Sequence, residues 1–193
     1  MRVSSCMHFS KRALLAGAGA AAAGAAALSF GVATRLRRHA PQLATVPDFD
    51  LEQYAGRWFE IARMPVRFER DSDRNVTAEY TIVPDGKIRV EDRATQPNGK
   101  LRSAHGVARV PNPGEAAKLR VKFFPFAPSA DYWVIGLDFA YRWAIVGEPS
   151  RKRLWILSRT PGLDGATLER ILRDVDVAGY DSTTLIRTPQ DGA

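Results

Sequence analysis

The chain has 193 residues, room for one domain plus a tail, and 45% apolar against 25% charged residues, a balance that supports a packed core and excludes a disordered chain. The net charge of +7 suits anionic ligands or an anionic membrane surface, but Lys and Arg are scattered among Asp and Glu without a basic block, so no nucleic-acid partner is expected. The single cysteine, Cys6, precedes the candidate domain, and His105 is the only histidine inside it, which removes disulfides and thiol-based metal sites; no metal and no cofactor are expected.

Residues 1–38 read as an export signal or an N-terminal membrane anchor. Lys11-Arg12 is followed by an uncharged run from Ala13 to Ala33 and then by Arg35, Arg37 and Arg38. This is a positive region, an apolar region and small residues, Gly31-Val32-Ala33, at a cleavage point. The run is mostly Ala and Gly, which partition weakly into hydrocarbon, so a cleaved signal is favoured over an uncleaved anchor. Ser10-Lys11-Arg12-Ala13-Leu14-Leu15 resembles a twin-arginine signal with Lys in the first position. Cys6 has no apolar run before it and does not read as an acylation site. Residues 39–47 read as a linker, 48–188 as the folded domain and 189–193 as a tail.

From Gly56 the sequence is a series of short alternating runs with turn residues between them. Strands are predicted over Arg57–Met64, Val76–Ile82, Ile88–Glu91, Ser103–Val110, Leu119–Phe123, Tyr132–Leu137, Trp143–Val146 and Leu154–Ser158. Pro84-Asp85-Gly86 and Pro97-Asn98-Gly99 mark hairpins. Leu119, Val121 and Phe123 must face inward, since Arg120 and Lys122 on the other face cannot be buried without partners. A helix follows, capped by Asp164, striped by Leu168, Ile171, Leu172 and Val175, and ended by Gly179. A last strand is expected over Thr184–Thr188. The fold class is all-β: an eight-stranded up-and-down antiparallel barrel with one C-terminal α-helix packed outside. Such a barrel encloses room for one small ligand.

Three segments resemble the lipocalin family. Gly56-Arg57-Trp58-Phe59-Glu60-Ile61-Ala62-Arg63 is similar to its first signature, with glycine two residues before tryptophan. Leu137-Asp138-Phe139-Ala140-Tyr141 is similar to the turn between strands six and seven. Leu154-Trp155-Ile156-Leu157-Ser158-Arg159-Thr160-Pro161 is similar to the third, with arginine closing strand eight. Within the family the chain resembles the bacterial outer-membrane lipocalin and apolipoprotein D-like group, to which Arg67-Phe68-Glu69-Arg70 adds. The resemblance covers about Asp48 to Thr188. One departure is the missing acylation site, since bacterial members are often lipoproteins.

The resemblance implies structural roles for Gly56, Trp58, Asp138, Tyr141 and Arg159. Trp58 fills the floor, Arg159 lies over it and holds the chain crossing at Phe49–Ala55, and Asp138 accepts N–H groups in its turn. It implies a ligand cavity lined by Ala78 and Tyr80; Ile88, Val90 and Asp92; Ala104 and Ala108; Leu119, Val121 and Phe123; Tyr132 and Val134; Ala144 and Val146; and Trp155 and Leu157. Trp133, Ile135, Trp143 and Ile145 face out toward the helix. A fatty acid or lysophospholipid is the expected ligand. Burying an acyl chain of about 16 carbons is worth on the order of 13 kcal/mol, against an association cost of roughly 4–15 kcal/mol. Arg67, Arg70 and Arg74 are placed to meet an anionic head, and Tyr132 and Asp92 to make polar contacts deeper in.

No enzymatic activity is expected. The domain has no cysteine nucleophile, His105 faces outward, and a Glu60–Asp92 carboxylate pair has no nucleophile or oxyanion site beside it. The expected role is binding, storage or transport of a hydrophobic ligand in the envelope, as a monomer or homodimer with membrane association, exported to the periplasm or an envelope membrane. The alternative is a partner-binding envelope protein with a filled barrel and an apolar patch near its mouth.

Overall fold

The structure is a computed structural model that describes residues 42–67 and 69–191. The signal or anchor reading of residues 1–38, Cys6 included, lies outside the described residues. Eight antiparallel strands form the wall: β1 (Gly56–Arg63), β2 (Arg74–Ile82), β3 (Ile88–Thr95), β4 (Leu101–Arg109), β5 (Lys118–Lys122), β6 (Ala130–Leu137), β7 (Trp143–Gly147) and β8 (Leu154–Ser158). Each bonds to the next, and β1 pairs with both β2 and β8, so the sheet closes on itself. Closure joins the first and last strands of the wall and so removes the sheet's two outer edges. A helical turn, α1 (Leu51–Tyr54), precedes the wall; α2 (Gly165–Val177) and a ninth strand, β9 (Ile186–Arg187), follow it.

β3 runs past the expected Glu91 to Thr95. Its upper inward position is Asp92, a carboxyl where alternation calls for an apolar side chain, and this hides the strand in the sequence. β9 is shorter than expected because Ser182–Thr184 wind into a 3-10 turn capped by Asp181, whose side chain accepts from Thr183 N–H. α1 was not foreseen. Its signal is Asp50, whose Oδ1 accepts from the N–H groups of Glu52 (2.8 Å) and Gln53 (3.3 Å). One turn is too short for any helical period to show.

Alternation sorts the wall into two apolar clusters. The inner one fills the barrel. The outer one joins Ile61, Trp143, Ile145, Leu154 and Ile156 of the wall to Leu168, Ile171 and Val175 of α2. Asp164 caps α2 by accepting from Thr167 N–H at 2.9 Å. Burial of these three helix side chains stabilises the docking by roughly 1.5–3 kcal/mol each. Tyr180, just past the helix, exchanges hydrogen bonds with the backbone of Glu148 at 2.9 and 3.0 Å. Gly147 makes room for this hydroxyl, since a Cβ there would collide with it. Gly147→Ala is therefore expected to lower stability by about 1–3 kcal/mol in urea unfolding, with α2 loosened first in hydrogen exchange.

Two stretches expected as linker and tail are bound to the domain. Leu43 is buried in the outer cluster and Val46 N–H donates to Val134 O at 3.0 Å. At the other end Asn75 N–H donates to Pro189 O (2.8 Å), and Gln190 Nε2 donates to the carbonyls of Glu60 and Val76, both at 2.8 Å. The reason lies in the wall: β1 pairs with β2 only over Gly56–Phe59, and the chain around residues 186–191 fills the gap above. Polar backbone left open by the divergence takes its partners from this segment.

Candidate functional site

One end of the barrel is closed by the chain entering it. Trp58 has no exposed surface, and its Nε1–H donates to Tyr54 O at 2.8 Å. The Arg159 guanidinium stands 3.8 Å from the Trp58 ring centroid. Its Nη1 donates to Arg57 O (2.8 Å), and its Nη2 to the carbonyls of Gln53 (2.7 Å), Tyr54 (3.1 Å) and Ala55 (3.0 Å). One planar fork thus ties α1 and the start of β1 to the end of β8. Gly56 has φ +94, a conformation that favours glycine, and a Cβ there would sit 3.4 Å from Arg159 Nη1. In the turn after β6, Asp138 Oδ2 accepts from Ala140 N–H (3.0 Å) and Arg142 N–H (3.3 Å), and Arg142 Nε donates to it at 2.8 Å. These bonds hold the Asp138 carboxyl below its ordinary pKa. The Tyr141 hydroxyl accepts from Asp50 N–H at 2.9 Å.

The candidate cavity residues all face the interior, but they divide by exposure. Tyr80, Ile88, Val90, Ala108, Leu119 and Val121 are enclosed, as are Val134, Ala144, Val146 and Leu157. Ala78, Asp92, Ala104, Phe123, Tyr132 and Trp155 are only partly buried. Asp92 is the register partner of both Ala78 and Ala104, so those three adjoin across β2, β3 and β4. Phe123 lies against Gly106, where an added Cβ would meet its ring at 3.0 Å.

A polar layer crosses this interior. The Tyr54 and Tyr132 hydroxyls lie 2.6 Å apart, and Tyr80 donates to Tyr132 at 2.8 Å. Burial pushes all three phenols above their ordinary pKa. Asp92 is raised to about 7, first by burial and then by Glu69, with Arg102 opposing. Tyr54 was missed from sequence because it belongs to the crossing chain and follows no strand alternation.

The mouth differs most from expectation. Glu60 pairs with Glu69, not Asp92: burial first, and then the Glu69 carboxylate, push Glu60 well above its ordinary pKa, while the Thr188 hydroxyl bonds to it. Arg63, 3% exposed, lies between them, 2.9 Å from Glu69 and 3.4 Å from Glu60. Its Nη2 also donates to Arg70 O at 2.9 Å, which anchors the loop 64–73. Arg63 turns inward because a bulge between Glu60 and Ala62 shifts the alternation by one residue, so that it stands opposite Trp155. Arg102, inward on β4, pairs with buried Asp73 at 2.6 Å. Trp155 Nε1–H donates to Glu69 at 3.2 Å. Of the three loop arginines expected at the mouth, Arg67 and Arg70 are exposed, and Arg74 is engaged by Asp191. Arg63 and Arg102 are cations that reach the interior; strict alternation overlooks Arg63 because of the bulge, and Arg102 precedes the strand expected over Ser103–Val110. His105 is on the outer face opposite Glu91. Among the described residues no group of His, Cys, Asp and Glu is arranged to hold a metal ion.

A closed antiparallel barrel, plugged at one end and with a partly accessible interior beneath the other, defines a class of small-ligand binding proteins. The comparisons agree. The family model described as a lipocalin-like domain matches residues 49–190. The chain is 40% identical to temperature-induced lipocalin-1 of Arabidopsis thaliana, covering 77% of this chain and 83% of that protein. It is 37% identical to the outer membrane lipoprotein Blc of Escherichia coli K12 (78% and 85%) and 35% to rat apolipoprotein D (68% and 74%). Among solved structures, insecticyanin from Manduca sexta superposes with a TM-score of 0.62 at 26% identity, covering 77% of this chain and 84% of that one. Apocrustacyanin C2, at 18% identity and TM-score 0.60 over 74% and 81% of the two chains, shares the fold. The chain belongs to the lipocalin family, whose members typically bind small hydrophobic ligands.

Proposed function

We propose that this protein holds one fatty acid or lysophospholipid in its barrel and performs no chemistry on it. The observation that carries the reading is the partly accessible inner surface formed by Ala78, Ala104, Phe123 and Trp155 around Asp92 and Tyr132. Apolar walls suit an alkyl chain, and a carboxyl raised to about 7 is half protonated near neutrality and can donate to an anionic head. Arg102 adds a cation on the same side of the interior. Phe124 and Phe126, 68% and 101% exposed, stand on the loop between β5 and β6 beside the mouth, an apolar rim suited to drawing a ligand from a membrane. A place in the bacterial cell envelope, by export, is part of this reading, supported by the outer-membrane lipoproteins among the relatives.

The test is native mass spectrometry of the purified chain, then denaturing extraction and lipid identification. One acyl lipid per chain is expected. Ala104→Trp, which fills the space beside Asp92, is expected to weaken uptake of added dodecanoate at least tenfold while leaving the fold intact by circular dichroism. A protein that carries no lipid and takes up neither fatty acid nor lysophospholipid would sink the reading. The same exposed rim would then favour the second one, a partner docked over the mouth of a filled barrel.

A further inference from the structure

The wall of the barrel is incomplete on one flank. β4 pairs with β5 only over Val107–Arg109, so Leu101–Gly106 have β3 on one side and no strand on the other. Beyond Lys122 the chain leaves the sheet as Phe123-Phe124-Pro125. The space between is a groove of about 560 Å³, within the size range of small-molecule sites. Its lining has two chemical parts. Arg89, His105 and Lys122, all exposed, supply cations or a hydrogen-bond donor. Val107 and Phe124, two of the protein's exposed large apolar side chains, join Phe123 to make an apolar floor.

No carboxylate lines the groove, and the nearest on the register, Glu91 opposite His105, is bound by Arg93 at 2.9 Å. Neither Arg89 nor Lys122 is ion-paired among the described residues. A concavity with uncompensated cations on its wall and uncovered aromatic carbon on its floor complements an amphiphile with an anionic head and an apolar tail.

We propose that this groove is a second ligand site, outside the barrel, for an amphiphilic anion. A carboxylate, sulfate or phosphate head lies on Arg89, His105 and Lys122, and the first part of the chain lies on Phe123, Phe124 and Val107. Phe123, which also packs against the inner cluster, lies between the groove and the barrel interior.

Titration of the full chain with dodecanoate, followed by native mass spectrometry, tests this. Two equivalents are expected in the wild type, one in the Arg89→Glu/Lys122→Glu double variant, whose substitutions are on the surface, and one in Ala104→Trp. Dodecanol, the same chain without the charge, is expected to bind once and to be indifferent to the double substitution. A double variant that retains every equivalent of dodecanoate bound by the wild type overturns the proposal, as does a wild type that binds none. Loss of an equivalent in the double variant with no change in Ala104→Trp would uphold the groove and instead remove the support for ligand in the barrel.

Discussion

Replacing Arg159 with alanine is expected to destabilise the protein by about 3–4 kcal/mol, lowering the thermal midpoint by roughly 10 °C. The side chain makes a cation–π contact with Trp58 at 3.8 Å and bonds to three carbonyls of the crossing chain and to Arg57 O at the start of β1. Each hydrogen bond to a charged donor is worth about 1.5–3 kcal/mol when buried, and Arg159 is only part-buried, so water recovers a share of the sum. What remains is large because one side chain holds several carbonyls at once, although that of Tyr54 keeps a second donor, Trp58 Nε1–H. Arg159→Lys keeps the charge but not the planar fork, and is expected to restore less than half of the loss. Urea unfolding of the three proteins decides it. A loss below about 1 kcal/mol for the alanine variant would mean that α1 and Trp58 close the floor unaided.

The second large effect is on pH. Asp92 ionises near 7 in the folded protein, against about 3.9 in an unfolded chain. Its folded value is the higher one, so between these limits the native state binds the extra proton and stability falls as pH rises. The contribution is complete below about pH 4 and is lost by about pH 7–8. In the limit it is on the order of 4 kcal/mol at about 1.4 kcal/mol per unit. Glu69 faces Asp92 and strengthens the effect, Arg102 opposes it, and the Tyr80 and Tyr132 hydroxyls border it without charge. Glu60, also raised, adds a fall of the same sign, so the informative quantity is the difference from Asp92→Asn. That variant is expected to match the wild type within about 1 kcal/mol at pH 4, and its advantage is expected to grow by about 2–3 kcal/mol between pH 5 and pH 8. Unfolding free energies of the two proteins that run parallel from pH 5 to pH 8 would show that Asp92 is not the group responsible.

The strands were legible in sequence where each face had one chemistry. Leu119-Arg120-Val121-Lys122 alternates without exception, and the structure buries Leu119 and Val121 and turns Arg120 and Lys122 out. The helix was legible for the same reason, since its apolar stripe faces a single partner. Legibility was poorer for charged residues that face inward than for Tyr80 and Tyr132, which alternation placed on the inner face. Asp92 truncated the expected β3, Arg102 went unnoticed on β4, and Arg63 is inward only because of a one-residue bulge. Glu69 and Asp73 lie in a loop whose composition suggests solvent, yet Asp73 is 4% exposed.

Local chemistry, acting through residues near in sequence, determined the strand order, the hairpin turns, the cap at Asp164 and the identity of the inward face of most strands. It also placed Trp58 and Arg159 in signatures that identify the barrel. Only the tertiary structure decided the rest. Closure of β1 on β8 and β2 set how the residues after 186 seal the wall, and shear among the strands chose which inward side chains pack and which stay accessible. The buried Glu60–Arg63–Glu69 group and the short β4–β5 pairing are likewise products of the closed barrel. The physical reason is distance along the chain. Alternation reports the environment of a residue relative to its own strand, whereas a proton on Asp92 or a gap beside His105 depends on groups that meet only when the sheet curls shut.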